Sequence, residues 1–153
     1  MKTTLALGTA FTLGLGNAYG AGICPGGQNN YLSGRQISDL VSGKTVCAQS
    51  ASGGWNEAHA TGGAGPVTEW HTNTPNDPTE VIGTYSITPN ANGQAGTITY
   101  NAGGIFVYYV TNETPAGSGN YIYCTAIGAS PGITVNVRSG YSPISGCPNN
   151  PDK

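Results

Sequence analysis

The sequence predicts an all-β protein: eight antiparallel strands wound as an up-and-down meander barrel, with one short N-terminal helix and two disulfides. Three observations predict it. From Lys44 onward, runs rich in Val, Ile, Thr and Tyr alternate with Gly, Pro and Asn, and eight such runs can be counted. Most connectors between them are short (TGGAG, AGG, GASPG), which pairs each strand antiparallel with the next. Four cysteines follow residue 20, an even number in a chain that opens like an exported protein. A β-sandwich is the alternative at this strand count, but it calls for long crossovers, and none is evident. A closed barrel also removes both exposed sheet edges.

In chain order, residues 1–20 read as a signal peptide. Lys2 gives the positive start and Leu5 to Leu15 a short apolar region, and Ala18 and Gly20 stand where signal peptidase reads small residues. That region is too short to span a bilayer, and no later segment is long enough. The expectation is therefore a secreted or periplasmic protein. Residues 21–43 form a coil and then a helix. Ser33 with Gln36 is a capping-box pair, Gly43 stands where a helix-ending glycine belongs, and Leu32, Ile37, Leu40 and Val41 fall on one stripe. Residues 44–138 are the barrel, and residues 139–153 are a tail tethered through Cys147.

The strands are expected at 44–49, 53–60, 66–71, 81–88, 96–101, 105–111, 120–127 and 132–138. Alternation points Ile133, Val135 and Val137 inward, and puts Val81, Tyr85 and Ile87 on one face. The run IFVYYVT (105–111) is apolar on both faces, so the helix covers its outside or it lies at a contact surface. The loop TNTPNDPTE (72–80) carries Asx and Pro turn signals and is placed over one end of the barrel. Cys24 to Cys47 and Cys124 to Cys147 are both separations of 23 positions, which favours two local bridges worth about 3 kcal/mol each by chain entropy. Zinc is disfavoured, because no CxxC pair exists and the histidines are distant in sequence from every cysteine.

The phrase VIGTYSI and a last strand ending in Arg138 resemble the lipocalin and avidin (calycin) architecture over residues 44–138. The resemblance implies an eight-strand barrel holding one small ligand in its open mouth. In lipocalins a Gly-x-Trp on the first strand packs under an arginine of the last. Here Gly83-Thr84-Tyr85 has Tyr for Trp and lies in the fourth strand, while Gly53-Gly54-Trp55 lies in the second, so no ligand-contacting set carries over. The run SGKTVCA…GGWNEAHATGG…DPTEVIGTYSIT also resembles small exported bacterial proteins without an assigned activity.

Only 8% of the residues are charged. With Arg35, Lys44, Arg138 and Lys153 as the basic residues beyond the leader, there is no cluster to neutralise phosphates, so nucleic acid is excluded as a partner. A basic amphipathic membrane-surface segment is absent too. Reactive side chains concentrate in GGWNEAHATGGAGPVTEWH (53–71), a hairpin in which residue 57 faces 69 and residue 55 faces 71. Trp55, Glu57, Trp70, Tyr85, Tyr100 and Tyr109 are the ligand-binding candidates, because aromatic faces and a carboxylate suit a small pocket. His59, His71, Glu57 and Glu69 are the metal candidates, should their imidazoles and carboxylates converge on one ion. Glu57 and Glu69 also suggest a glycosidase acid/base pair. Serine-hydrolase chemistry lacks a GxSxG elbow. The leading expectation is a non-catalytic binding module with no cofactor, whose partner is a small molecule. A protein partner, met through loops or the IFVYYV strand, is the alternative.

Overall fold

The computed structural model describes residues 22–50, 53–70, 80–89, 94–113 and 119–140. The expected leader, most of the 72–80 loop, His71, and the tail from residue 141 with Cys147 lie outside the described residues. So do the side chains of Trp55 and Trp70.

Helix α1 (Gly34–Val41) begins as its sequence dictates. Ser33 is extended, its side chain accepts the Gln36 backbone N–H, and the Gln36 side chain accepts the Ser33 N–H at 2.8 Å. Two otherwise orphaned N–H groups are thereby satisfied. The chain leaves through Gly43 at a φ of +67°, a left-handed turn that costs glycine least. Ile37 and Val41 are fully buried, with Leu32 and Leu40 packed on the same cluster.

Eight strands follow: β1 (Lys44–Ser50), β2 (Gly53–His59), β3 (Ala64–Trp70), β4 (Glu80–Thr88), β5 (Thr97–Asn101), β6 (Ile105–Asn112), β7 (Asn120–Cys124) and β8 (Ile133–Ser139). Each pairs antiparallel with the next, and β1 closes on β8 with Val46 opposite Val137 and Ala48 opposite Val135. The sheet is a closed meander barrel, so the sandwich alternative is set aside.

Alternation divides the barrel as expected along β8, where Ile133, Val135 and Val137 all join the core. Along β4 it breaks. Val67 faces Gly83 and Thr68 faces Val81, so Ile82 is an extra residue in the strand. Tyr85 and Ile87 keep their place in the core, Ile82 packs against it, and Val81 turns outward to 62% exposure. A bulge therefore takes Val81 off the face it was expected to share with Tyr85 and Ile87.

Helix α1 closes one end of the barrel. Ile37 and Val41 share a core with Val67, Tyr85, Ile98 and Val110, and Gly34 sits on the Thr88 carbonyl at the end of β4. The strap from Gly22 to Tyr31 lies outside, across β6 and β7. Gly22 bridges Gly132, Tyr31 bridges Thr111, and the Tyr31 hydroxyl donates to the Pro25 carbonyl at 2.7 Å. Cys24 in this strap is bonded to Cys124 on β7. That corrects the expected local bridges, since Cys24–Cys47 and Cys124–Cys147 are both excluded by it. Cys47 is itself disulfide-bonded, and no described cysteine is free.

The strap also resolves the two-sided apolar β6. Tyr109 packs edge-on to Tyr31, with ring centroids 5.8 Å apart, in a cluster with Cys24, Ile122 and Cys124. The cover is thus the N-terminal strap and not the helix. The first half of β6 stays open, with Ile105 at 75% and Val107 at 42% exposure. No described helix is long and apolar enough to cross a membrane.

Candidate functional site

The hairpin β2–β3 sets the site. A tight glycine-bearing turn at residues 60–63 fixes the register, so Glu57 pairs with Glu69 and His59 with Val67. Glu57 and Glu69 consequently stand side by side on the inner face. They line a cavity of about 370 Å³ together with Val46, Ala48, Tyr100, Tyr108, Tyr123 and Val135. Ala102 and Phe106, at the β5–β6 turn, form the rim away from α1, and Phe106 is 48% exposed there.

Beneath the carboxylates the barrel is filled. His59 is fully buried; its Nε2 lies 2.9 Å from the Tyr100 hydroxyl and its Nδ1 3.1 Å from the Glu57 carbonyl oxygen. A carbonyl can only accept, so Nδ1 carries the proton and Nε2 accepts from Tyr100. The Tyr123 hydroxyl lies 3.4 Å beyond that of Tyr100. Tyr85 stands edge-on to the His59 ring at 4.7 Å and donates to the Ala60 carbonyl at 2.5 Å. Loss of hydration lowers the His59 pKa to about 4, against the smaller opposing pull of the Glu57 and Lys44 carbonyls. The imidazole is therefore neutral at pH 7.

Burial also raises the pKa values of Tyr100, Tyr108 and Tyr123, and the charge of Glu57 adds to the rise at all three. Their phenols stay protonated well past neutrality. The three rings form one aromatic wall: Tyr108 and Tyr123 lie 5.6 Å apart and tilted by 34°, and Tyr100 stands edge-on to Tyr108 at 6.1 Å.

The sequence candidates are therefore distributed as follows. Glu57, Glu69 and Tyr100 meet at the cavity. Tyr85 belongs to the packed floor below it, and Tyr109 faces outward against the strap, on the opposite side of β6 from the cavity. Trp55 is in register with Ala48, and Trp70 with Asn56. His59 lies on the Glu57 side of β2 with both ring nitrogens engaged, and no group of three or more His, Cys, Asp or Glu is placed to hold a metal ion among the described residues. Tyr108, Tyr123 and Phe106 also line the cavity, beyond the residues the sequence singles out. Strand parity could have found two of them: the AGG turn puts Tyr100 opposite Phe106, so Phe106 and Tyr108 must share its face and Tyr109 the other.

The arrangement offers two carboxylates and four aromatic rings around one volume, without a Lys, Arg or His among the described lining residues. Comparison with protein-family models, with curated proteins and with solved structures returns no match for this chain.

Proposed function

We propose that this protein is an exported, non-catalytic binding module that holds one small molecule in the mouth of its barrel. The observation that carries the reading is the cavity of about 370 Å³ between the two carboxylates and the aromatic wall. Small barrels fill their interiors with side chains when nothing is to be bound, and cavities of a few hundred Å³ are the size that holds small ligands. Among the described residues, the lower half of this barrel is filled by His59, Tyr85, Ile98, Val110 and the helix, and the cavity lies in the upper half. The calycin-like strand order supports the same reading, since those barrels bind in the open mouth. The leader-like residues 1–20 and the disulfide Cys24–Cys124 support export to an oxidising compartment.

Uptake of the neutral fluorophore N-phenyl-1-naphthylamine tests it. The expected result is saturable, blue-shifted emission that disappears in Ala48→Phe and in Ala102→Phe, each of which fills the cavity from a different strand end. Circular dichroism confirms that each variant is folded. Emission that survives both variants rejects the cavity as the binding site.

A second reading, a protein docked on the rim, has the exposed Ile105 and Val107 in its favour. Fluorophore uptake that survives both cavity variants but is lost in Ile105→Ser/Val107→Ser points to that surface instead.

A further inference from the structure

We propose that residues 141–153 of this chain dock on the outer face of β1 and β2, held there by a disulfide between Cys47 and Cys147. That face is on the outside of the barrel and is independent of what the cavity holds.

Strand alternation defines the face. Val46, Ala48 and Glu57 point into the cavity, so Thr45, Cys47, Asn56 and Ala58 point out of the barrel. Register brings the four together, with Thr45 opposite Ala58 and Cys47 opposite Asn56. Outward residues on a bare wall meet water, as Thr84, Ser86 and Asn101 do on β4 and β5. These four do not, and each is at most 4% exposed. Cys47 and Ala58 belong neither to the barrel core nor to the cluster beneath the strap. Another layer lies over them.

The last described residues turn towards this face. β8 runs beside β1 with Ser139 opposite Lys44, and Gly140 follows at a φ of +95°. That turn brings the Gly140 carbonyl back to accept from the outward Thr45 hydroxyl at 2.9 Å. Residues 141–153 start from there. A closed barrel offers them no free edge to join as a further strand, and Pro143, Pro148 and Pro151 lack the N–H groups such a strand would need. The outer face is the surface left to them.

The cysteines fix the contact. Cys24 and Cys124 are joined to each other and Cys47 is disulfide-bonded, so of the four cysteines Cys147 is the partner left for it. Cys147 stands seven positions beyond Gly140, a reach of up to about 25 Å in extended chain. Cys47 lies two positions along β1 from Thr45, about 7 Å. The segment therefore reaches it with slack. Starting beside its target, it also has a high effective concentration there, which favours closure within one chain over pairing with a second copy. Tyr141 and Ile144 are the bulky apolar side chains it brings to cover Ala58 and its surroundings.

Non-reducing digestion of the oxidised full-length protein with trypsin and a glutamate-specific protease tests the bond. The expected product is Thr45–Glu57 linked to Ser139–Lys153, from protein that runs as a monomer without reductant. Linkage of Thr45–Glu57 to a peptide holding Cys24 or Cys124 overturns the proposal. A covalent dimer overturns it too, and assigns the face to a second copy. Cover is tested apart from the bond, by the reaction of 5,5′-dithiobis(2-nitrobenzoate) with folded full-length variants. In Cys147→Ser the Cys47 thiol should react at least about tenfold more slowly than the thiol introduced by Thr84→Cys on the open side of the barrel. Adding Ile144→Asp to Cys147→Ser should raise the Cys47 rate at least about tenfold, with circular dichroism unchanged. A Cys47 thiol as reactive as the one at position 84, or equally protected with and without Ile144→Asp, means that the segment does not cover the face and overturns the docking.

Discussion

His59 shows what a single buried residue does to this barrel. It is fully enclosed, donates from Nδ1 to the Glu57 carbonyl, accepts at Nε2 from Tyr100, and is flanked edge-on by Tyr85. Its pKa is about 4 in the folded protein against an ordinary 6.5. The unfolded chain therefore binds a proton more readily than the folded one. Stability is complete above pH 6.5 and is lost as the pH falls towards 4, by about 3 kcal/mol in all. Urea unfolding at intervals from pH 7.5 to 4 should show this decline, with its upper half between pH 6.5 and 5 before carboxylates contribute. His59→Phe should remove that upper limb, although its own stability at pH 7 falls because Tyr100 loses an acceptor. His71→Gln, the control for the second histidine, should keep the limb; a limb that follows His71 would refute the assignment. The sequence shows why His59 stands on the same side of the strand as Glu57, since the two are alternate residues. Its depth is not legible there, because depth depends on which end of the barrel the helix closes.

At the scale of elements, the helix start and strand order were legible because local chemistry determines them. Ser33 and Gln36 cap one another wherever the helix packs, and short connectors leave little choice but antiparallel neighbours. The β4 bulge was not legible, because an extra residue at Ile82 answers to the register of β3 and not to any pattern within β4. The seat of α1 is equally non-local and gives a prediction opposite to helix propensity. Alanine in a helix is favoured over glycine by up to about 1 kcal/mol. At Gly34, however, a Cβ would lie 2.5 Å from the Thr88 carbonyl oxygen and 2.8 Å from the Pro89 Cα, both of them backbone atoms. Gly34→Ala should therefore destabilise by about 1–3 kcal/mol, as overpacking does. Its far-ultraviolet spectrum should stay native while the urea midpoint drops. A raised midpoint would mean that the helix can move away from β4 at no cost, and with it that α1 does not seal the barrel end.

The whole molecule is held as a barrel wrapped by its own N-terminal segment, and the disulfide fixes that wrapping across a long stretch of chain. Equal spacings of 23 positions suggested local bridges, but sequence spacing cannot see that residues 22–31 cross β6 and β7, where Cys24 meets Cys124. The difference is energetic as well as topological. The observed bridge joins residues 100 apart, and a loop of that size constrains the unfolded chain by about 4–5 kcal/mol, against about 3 kcal/mol for the local alternative. Cys24→Ser/Cys124→Ser should accordingly cost about 4 kcal/mol in urea unfolding. It should also raise amide exchange in residues 22–31 well above that of β1 and β8, since the strap loses its covalent tie while the barrel closure does not depend on it. Non-reducing peptide mapping checks the pairing directly. Trypsin alone leaves Cys47 and Cys124 in one fragment, because no Lys or Arg lies between Lys44 and Arg138. A glutamate-specific protease added to it cuts after Glu57, Glu69, Glu80 and Glu113 and separates them. The peptide bearing Cys24 must then run linked to the one bearing Cys124. Linkage of Cys24 to the Cys47 peptide would detach the strap from β7 and remove the cover from the outer face of Tyr109.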